Sequence, residues 1–203
     1  ALIDWLGGMG EIEVVVITLS VRNLFGLSDW AMLSMEELTK SPNYRIAYDV
    51  FIKYLPITES HVHRIQAELL PNQAAQAYEL LLREIFISNP FPVFDLVLLG
   101  MGEDGHTASL FPHTSALSEK AKSVTENFVA KLDAWRITLT APVINAARQV
   151  VILVNGESKA QTLKLVLRST YEPEVYPIQL VQPENGTKTW LLDAQAAAQL
   201  PGE

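Results

Sequence analysis

The sequence predicts an α/β fold built on a parallel sheet, and three observations carry that expectation. Residues 13–19 (EVVVITL), 93–99 (VFDLVLL) and 149–154 (QVVILV) are apolar runs with little alternation, as strands buried on both faces require. Stretches of helical periodicity separate them, which implies β-α-β crossovers. No internal repeat, low-complexity tract or Pro-, Gly- or Ser-rich linker divides the chain, so residues 1–203 are expected to form a single domain.

The elements follow in order. Residues 13–19 are a β-branched strand run. Residues 35–39 and 43–54 have helical patterns, the second with Ile46, Ala47, Val50, Phe51 and Tyr54 on one face, and Pro56 ends it. Residues 62–65 suit a short extended piece. The strongest helix spans 71–87: Pro71 starts it, and Ala74, Ala77, Tyr78, Leu81, Leu82 and Ile85 share a side. A strand over 93–99 comes next. Residues 136–140 (RITLT) alternate like a strand, and 141–147 suit one helical turn. After the strand at 149–154, residues 155–158 form a turn and 158–167 a helix. Residues 178–181 and 189–192 suit short strands, and the alanine-rich 193–200 a helix.

Hydrophobic residues make up 49% and charged residues 19%, the balance of a chain with a packed core. The formal net charge of −8 argues against generic nucleic-acid binding, which needs a basic face, but leaves room for an anionic small molecule held by a few convergent cations. Cysteine is absent, which excludes disulfides and thiolate-metal sites and favours an intracellular setting. No apolar stretch reaches membrane-spanning length and the N-terminus lacks a signal-peptide pattern, so a cytoplasmic location without a membrane partner is expected.

The densest chemistry lies where the run at 93–99 ends. Gly100, Gly102 and Gly105 surround Glu103-Asp104-Gly105-His106, and ligands in parallel sheets bind at the carboxyl ends of strands. His106 is suited to taking a proton from water, and Asp104 to orienting it or supporting its charge. Amides of the turn could face an anion or oxyanion if a helix starts there. A tight turn with a surface histidine and an Asp cap is the plainer alternative. Gly156-Glu157-Ser158-Lys159 repeats the arrangement: strand, glycine turn, helix. Its lysine sits at the helix end that prefers anions, so either a bound phosphate compensates it or it is simply solvated. Arg136 and Arg148 are candidate phosphate forks, Arg148 the weaker because it precedes a buried strand. His61 and His63 lack carboxylates at metal-ligand spacing and read as surface residues; His113 could line the site from its loop.

These residues carry a resemblance. FDLVLLGMGEDGHTASLFP resembles the signature segment of the 6-phosphogluconolactonases, and RITLTAPVINAARQVVILVNGESKA resembles the second block of that family. Val181-Gln182-Pro183, Thr189-Trp190-Leu191-Leu192-Asp193, the helix after Asn43-Tyr44-Arg45 and the segment 57–62 also fit, so the likeness covers about residues 43 to 203. It implies a Rossmann-like, mostly parallel sheet with helices on both faces, shared with sugar-phosphate isomerases and deaminases. It implies hydrolysis of 6-phospho-D-glucono-1,5-lactone to 6-phosphogluconate in the oxidative pentose phosphate pathway, with no metal or organic cofactor. The partner expected is a phosphosugar lactone, with no nucleic acid and no membrane, in a monomer or weak homodimer.

Carried over by position, His106 matches the catalytic histidine, and Asp104, Gly100, Gly102, Gly105 and Thr107 its loop. Arg136 and Lys159 match positions associated with the substrate phosphate. Ser20 stands where the phosphate loop of the family begins. There the chain departs from the pattern: Thr18-Leu19-Ser20 runs straight into Val21-Arg22 without the Ser-Gly-Gly loop, and residues 28–42 contain no Asp-Glu-Arg. Either the protein lacks these loops or the sequence omits segments; the clean rejoining of the flanks favours the second. Two rivals remain. Glucosamine-6-phosphate deaminases share Asp-Gly-His but follow it with an Asn-Glu-Pro carboxylate, where this chain has Leu110, Phe111 and Pro112. A non-catalytic sugar-phosphate sensor would also tolerate the missing loops.

Overall fold

The computed structural model describes residues 15–18, 48, 52–54, 62–86 and 90–201. Among them, four parallel strands form the main sheet in the order β1-β2-β5-β6: β1 (Val15–Thr18), β2 (Leu96–Gly100), β5 (Gln149–Val154) and β6 (Thr187–Leu192). Two more, β3 (Val124–Val129) and β4 (Ala134–Leu139), make a separate antiparallel hairpin. The helices are α1 (Pro71–Ile85), α2 (Ala141–Ala146) and α3 (Ala160–Arg168). The α/β fold with a parallel sheet, expected from the apolar runs, is present, and so is the Rossmann-like arrangement that the resemblance implied.

The runs form central strands because both faces are shielded from water. On one face Val97 and Leu99 of β2 lie beside Val150 and Ile152 of β5, in a core with Tyr78, Leu82, Ile144 and Leu163. On the other face Leu96, Leu98 and Val151 are only 0–1% exposed. Each such fully buried side chain contributes roughly 2 kcal/mol over an exposed one. α1 starts at Pro71, whose missing N–H costs nothing in a first turn, and packs Ala74, Ala75, Tyr78 and Leu82 inward against the β3–β4 hairpin. Burial pushes the Tyr78 phenol up to about 12; its hydroxyl donates to the His63 carbonyl.

Several expected elements differ. The strand at 136–140 pairs with β3 in the hairpin and not in the main sheet. β3 itself has polar residues at buried positions, Thr125 and Asn127, so its pattern hides a strand. No strand forms at 62–65. Residues 178–181 fall in a 3₁₀ turn (Pro177–Leu180), because Pro177 starts a tight turn that closes Ile178 N–H onto the Gly105 carbonyl. Residues 193–200 form successive turns and no continuous helix; the Asp193 carboxylate is taken by Gly156 and Ala196 amides. The expected helix at 35–39, most of that at 43–54 and the segment 57–61 lie outside the described residues; the end of the second, Ile52–Tyr54, is a 3₁₀ turn.

The register places the site. Gly100 of β2 pairs with Leu153 of β5, so the loops that follow the two strands leave the same edge of the sheet side by side.

Candidate active site

Residues 101–107 form a closed loop at the end of β2. Gly102 N–H donates to the His106 carbonyl (2.8 Å) and Gly105 N–H to the Gly102 carbonyl (3.0 Å). The Thr107 hydroxyl donates to the Gly100 carbonyl across 2.8 Å, bracing the loop against the strand it left. A Cβ on Gly102 would come within 2.1 Å of His106 Nδ1, so only glycine lets the imidazole lie on the backbone here.

His106 is held on two sides. Its Nδ1 lies 2.5 Å from Asp104 Oδ1, and its ring stacks on Phe111, with centroids 4.0 Å apart and planes 18° apart. Burial alone would raise the Asp104 carboxyl. Hydrogen bonds from His106 and Lys131 and the imidazole charge outweigh it and hold the group well below the usual carboxylate range. An ionised carboxylate only accepts, so Nδ1 carries the proton and Nε2 is the basic nitrogen of neutral His106. Asp104 Oδ2 is ion-paired to Lys131, in the hairpin turn Ala130–Leu132.

No helix follows His106: residues 107–110 make a tight turn closed by a Thr107–Leu110 bridge, with Ala108 at φ 49°. The His106 N–H donates to Asp104, and those of Gly102 and Gly105 are used inside the loop. These three amides are therefore not free for an oxyanion, because the loop needs them to close on itself.

The neighbouring loop supplies a cation. Gly156, at φ 90°, turns the chain out of β5, and Lys159 ends the short 3₁₀ helix Glu157–Lys159 that leads into α3. Lys159 is only 5% exposed and has no hydrogen bond or ion pair among the described residues. Burial lowers its ammonium from the ordinary lysine value, opposed by the charges of Glu103 and Asp193. The side chain is mostly buried while the ammonium keeps access to the surface, which leaves the charge open to an anion. The turn is fixed by Asp193, whose carboxylate accepts the Gly156 N–H. The Thr162 hydroxyl of α3 donates to the Glu103 carbonyl across 2.6 Å, joining the two loops.

The hairpin closes a third side. Asn127 of β3 donates to the Ser109 carbonyl (2.8 Å) and the Thr114 hydroxyl (2.9 Å), and Thr138 of β4 accepts the Ser109 N–H. Arg136 pairs with Asn127 across the hairpin, so its side chain leaves on the same face as these contacts, exposed. Arg148 is elsewhere: it precedes β5 and bonds Asp95 at the start of β2 (2.5 Å), at the opposite edge of the sheet. His113 is exposed, with φ 58°. Ser20 and His61 lie outside the described residues. The site thus unites Asp104, His106, Gly102 and Lys159 along one edge, with Gly100, Gly105 and Thr107 as its frame. Lys131, Phe111, Thr162 and Asp193 were not singled out as site residues. Lys131 is 27 positions from Asp104, and only the β3–β4 pairing brings them together.

Comparison with known proteins places the chain among relatives. The family described as glucosamine-6-phosphate isomerases/6-phosphogluconolactonase matches residues 35–190. The chain is 46% identical to the human 6-phosphogluconolactonase over 144 residues, 70% of this chain and 55% of that protein. It is 43% identical to the 6-phosphogluconolactonase of Synechocystis sp. over 162 residues, covering 78% and 66%. The chain therefore spans between about half and two thirds of these relatives. Among solved structures, the 6-phosphogluconolactonase from Trypanosoma cruzi superposes with a TM-score of 0.67 at 30% identity, covering 78% of this chain and 66% of that one. Among the described residues no helix is long and apolar enough to cross a membrane.

Proposed function

The chain belongs to the glucosamine-6-phosphate isomerase/6-phosphogluconolactonase family, and on that premise we propose that it hydrolyses 6-phospho-D-glucono-1,5-lactone to 6-phosphogluconate. One observation carries the reading: an Asp-oriented imidazole and the unbonded ammonium of a mostly buried lysine stand on adjacent loops of one sheet edge. The first suits a water-activating base, the second the phosphate that holds the lactone in place.

In this mechanism Lys159 takes the phosphate and fixes the lactone carbonyl near His106. Arg136, on the hairpin face towards the loop, is a second phosphate ligand. Nε2 accepts a proton as a water oxygen adds to the carbonyl carbon, giving a tetrahedral intermediate. The ring C–O bond then breaks, and the same Nε2–H returns its proton to the departing ring oxygen as it becomes a hydroxyl. Asp104 stays ionised throughout and stabilises the imidazolium between the steps. A strained ester with a positioned water needs no covalent nucleophile, and no metal enters. A soluble cytoplasmic setting and a single domain over 1–203 accompany this reading.

The isomerase alternative needs a carboxylate where Phe111 stands. That ring instead stacks on the imidazole, which supports the lactonase over ring-opening chemistry. The deciding experiment follows acid release from freshly made 6-phosphogluconolactone against its spontaneous rate, beside ammonia release from glucosamine 6-phosphate. Acid release is expected, falling by about 10²–10⁴ in His106→Ala. Ammonia release alone, or no catalysis with sugar-phosphate binding intact, would overturn the reading.

A further inference from the structure

We propose that Lys131 is a positioning residue for the His106 base, locking both groups that hold the imidazole; the proposal rests on the hydrolytic reading above. The His106 ring is hydrogen-bonded by Asp104 and stacked on Phe111. Lys131 reaches both. Its ammonium is ion-paired with Asp104 Oδ2, the oxygen His106 leaves free, and it lies 5.8 Å from the centre of the Phe111 ring. The imidazole and the ammonium therefore share one carboxylate and one aromatic ring.

Stability does not account for this placement. The Lys131 side chain is 60% exposed, and an ion pair with one exposed partner contributes little to folding. What it does is specific to the carboxylate. Without Lys131 the carboxylate is held through Oδ1 alone, by the His106 ring and its backbone N–H, and Oδ2 has nothing to keep it from turning towards Nδ1 instead. With Oδ2 engaged by Lys131, only Oδ1 is left for the imidazole, and the ring direction is set. The ammonium also shares the carboxylate charge, so Asp104 divides its support between Lys131 and the imidazolium of the transition state. The other charged or titratable groups around the pair are Glu103 of the same loop, Tyr176 against Gly105, Lys159 with Asp193 beyond Glu103, and Arg136 on the hairpin. None of these is hydrogen-bonded or ion-paired to the Asp104 carboxylate among the described residues.

The hairpin makes the device possible. Asp133 at φ 45° ends the short 3₁₀ turn that projects Lys131, and the Asn127 and Thr138 contacts fasten the hairpin to the loop after His106. Base and positioning residue thus come from two elements joined by a polar seam.

The test compares wild type, Lys131→Met, Lys131→Arg and His106→Ala in lactone hydrolysis across pH, with circular dichroism to confirm folding. Lys131→Met is expected to lower kcat about tenfold at unchanged KM, the scale of one charge-assisted hydrogen bond. The acid limb of its kcat profile should move to higher pH, since the unshared Asp104 charge favours the protonated imidazole. Lys131→Arg, which keeps the charge, should recover most of the rate. A raised KM with kcat intact would make Lys131 a substrate ligand and overturn the proposal, as would a wild-type rate and pH profile in Lys131→Met. Both leave the hydrolytic reading standing. That reading fails separately, if wild type does not hydrolyse the lactone or His106→Ala does so equally well.

Discussion

The hydroxyl of Thr162 donates to the carbonyl of Glu103 across 2.6 Å, and through it α3 is tied to the loop that carries the base. Lys159, three residues before Thr162, is tied in turn. Replacing Thr162 by valine keeps the shape and removes the donor. We expect KM for the phosphorylated lactone to rise about threefold and kcat to change little, with a stability loss of about 1 kcal/mol. Steady-state kinetics and a denaturant melt measure both. Unchanged KM would mean that the spacing of the two loops is set elsewhere.

Gly102 offers a sharper test, because a Cβ there would stand 2.1 Å from Nδ1 and 2.2 Å from Cε1 of His106. Gly102→Ala must displace the ring, and displacement on the order of 1 Å costs about 10² in rate. The protein should fold, since the clash is with a side chain at a loop, and lose kcat by that order. A Gly102→Ala variant of normal kcat would show that the imidazole tolerates another position.

The parts of this fold that were legible in the sequence are those whose physics is local. β2 and β5 are apolar on both faces and could be read directly. α1 could be read as a helix, but it buries Ala74, Ala75, Tyr78, Glu79 and Leu82 and leaves the expected Ala77 and Ile85 exposed, so its inward face is rotated from the predicted stripe. The Asp104–His106 pair was legible because two residues in a glycine turn have few ways to meet. β3 was not, because Thr125 and Asn127 are buried for the sake of a polar seam to another loop, and burial of polar residues leaves no hydrophobic alternation. Lys131 was hidden for the same reason: its meaning depends on hairpin pairing. The Gly102, Gly105 and His106 amides, expected to face an anion, are spent on closing the turn. Lys159 was visible as an oddity at a helix start, but its burial depends on how α3 packs against β5.

Lys159 predicts opposite changes in stability and function. Its side chain is mostly buried, its ammonium has no hydrogen bond among the described residues, and desolvation lowers its titration from the ordinary lysine value. The folded protein therefore bears a cost for holding it charged, relieved when an anion binds. Lys159→Met should raise the thermal midpoint, by an amount on the order of 1 kcal/mol, and raise KM strongly. Inorganic phosphate should raise the melting temperature of wild type and leave that of Lys159→Met unmoved. Equal phosphate stabilisation of both proteins would remove Lys159 from the anion site.

Asp104 predicts a pH dependence of stability. In the folded protein burial raises its carboxyl, but the hydrogen bonds from His106 and Lys131 prevail and keep it well below the usual range. In the unfolded chain it returns to about 4. As pH falls below about 4, the unfolded state takes up this proton first, and the contribution of Asp104, fully present above that pH, drains away towards the folded value. Asp104→Asn has no proton to take up. Its denaturant midpoint should start lower at neutral pH and fall less steeply than that of wild type between about pH 4 and pH 2, so that the two curves converge in acid. Parallel curves would mean that the carboxylate is no better held in the fold than in the open chain. The same substitution should cost kcat about 10² or more at every pH, because an amide can turn its NH₂ towards Nδ1 and leave the imidazole in the wrong tautomer.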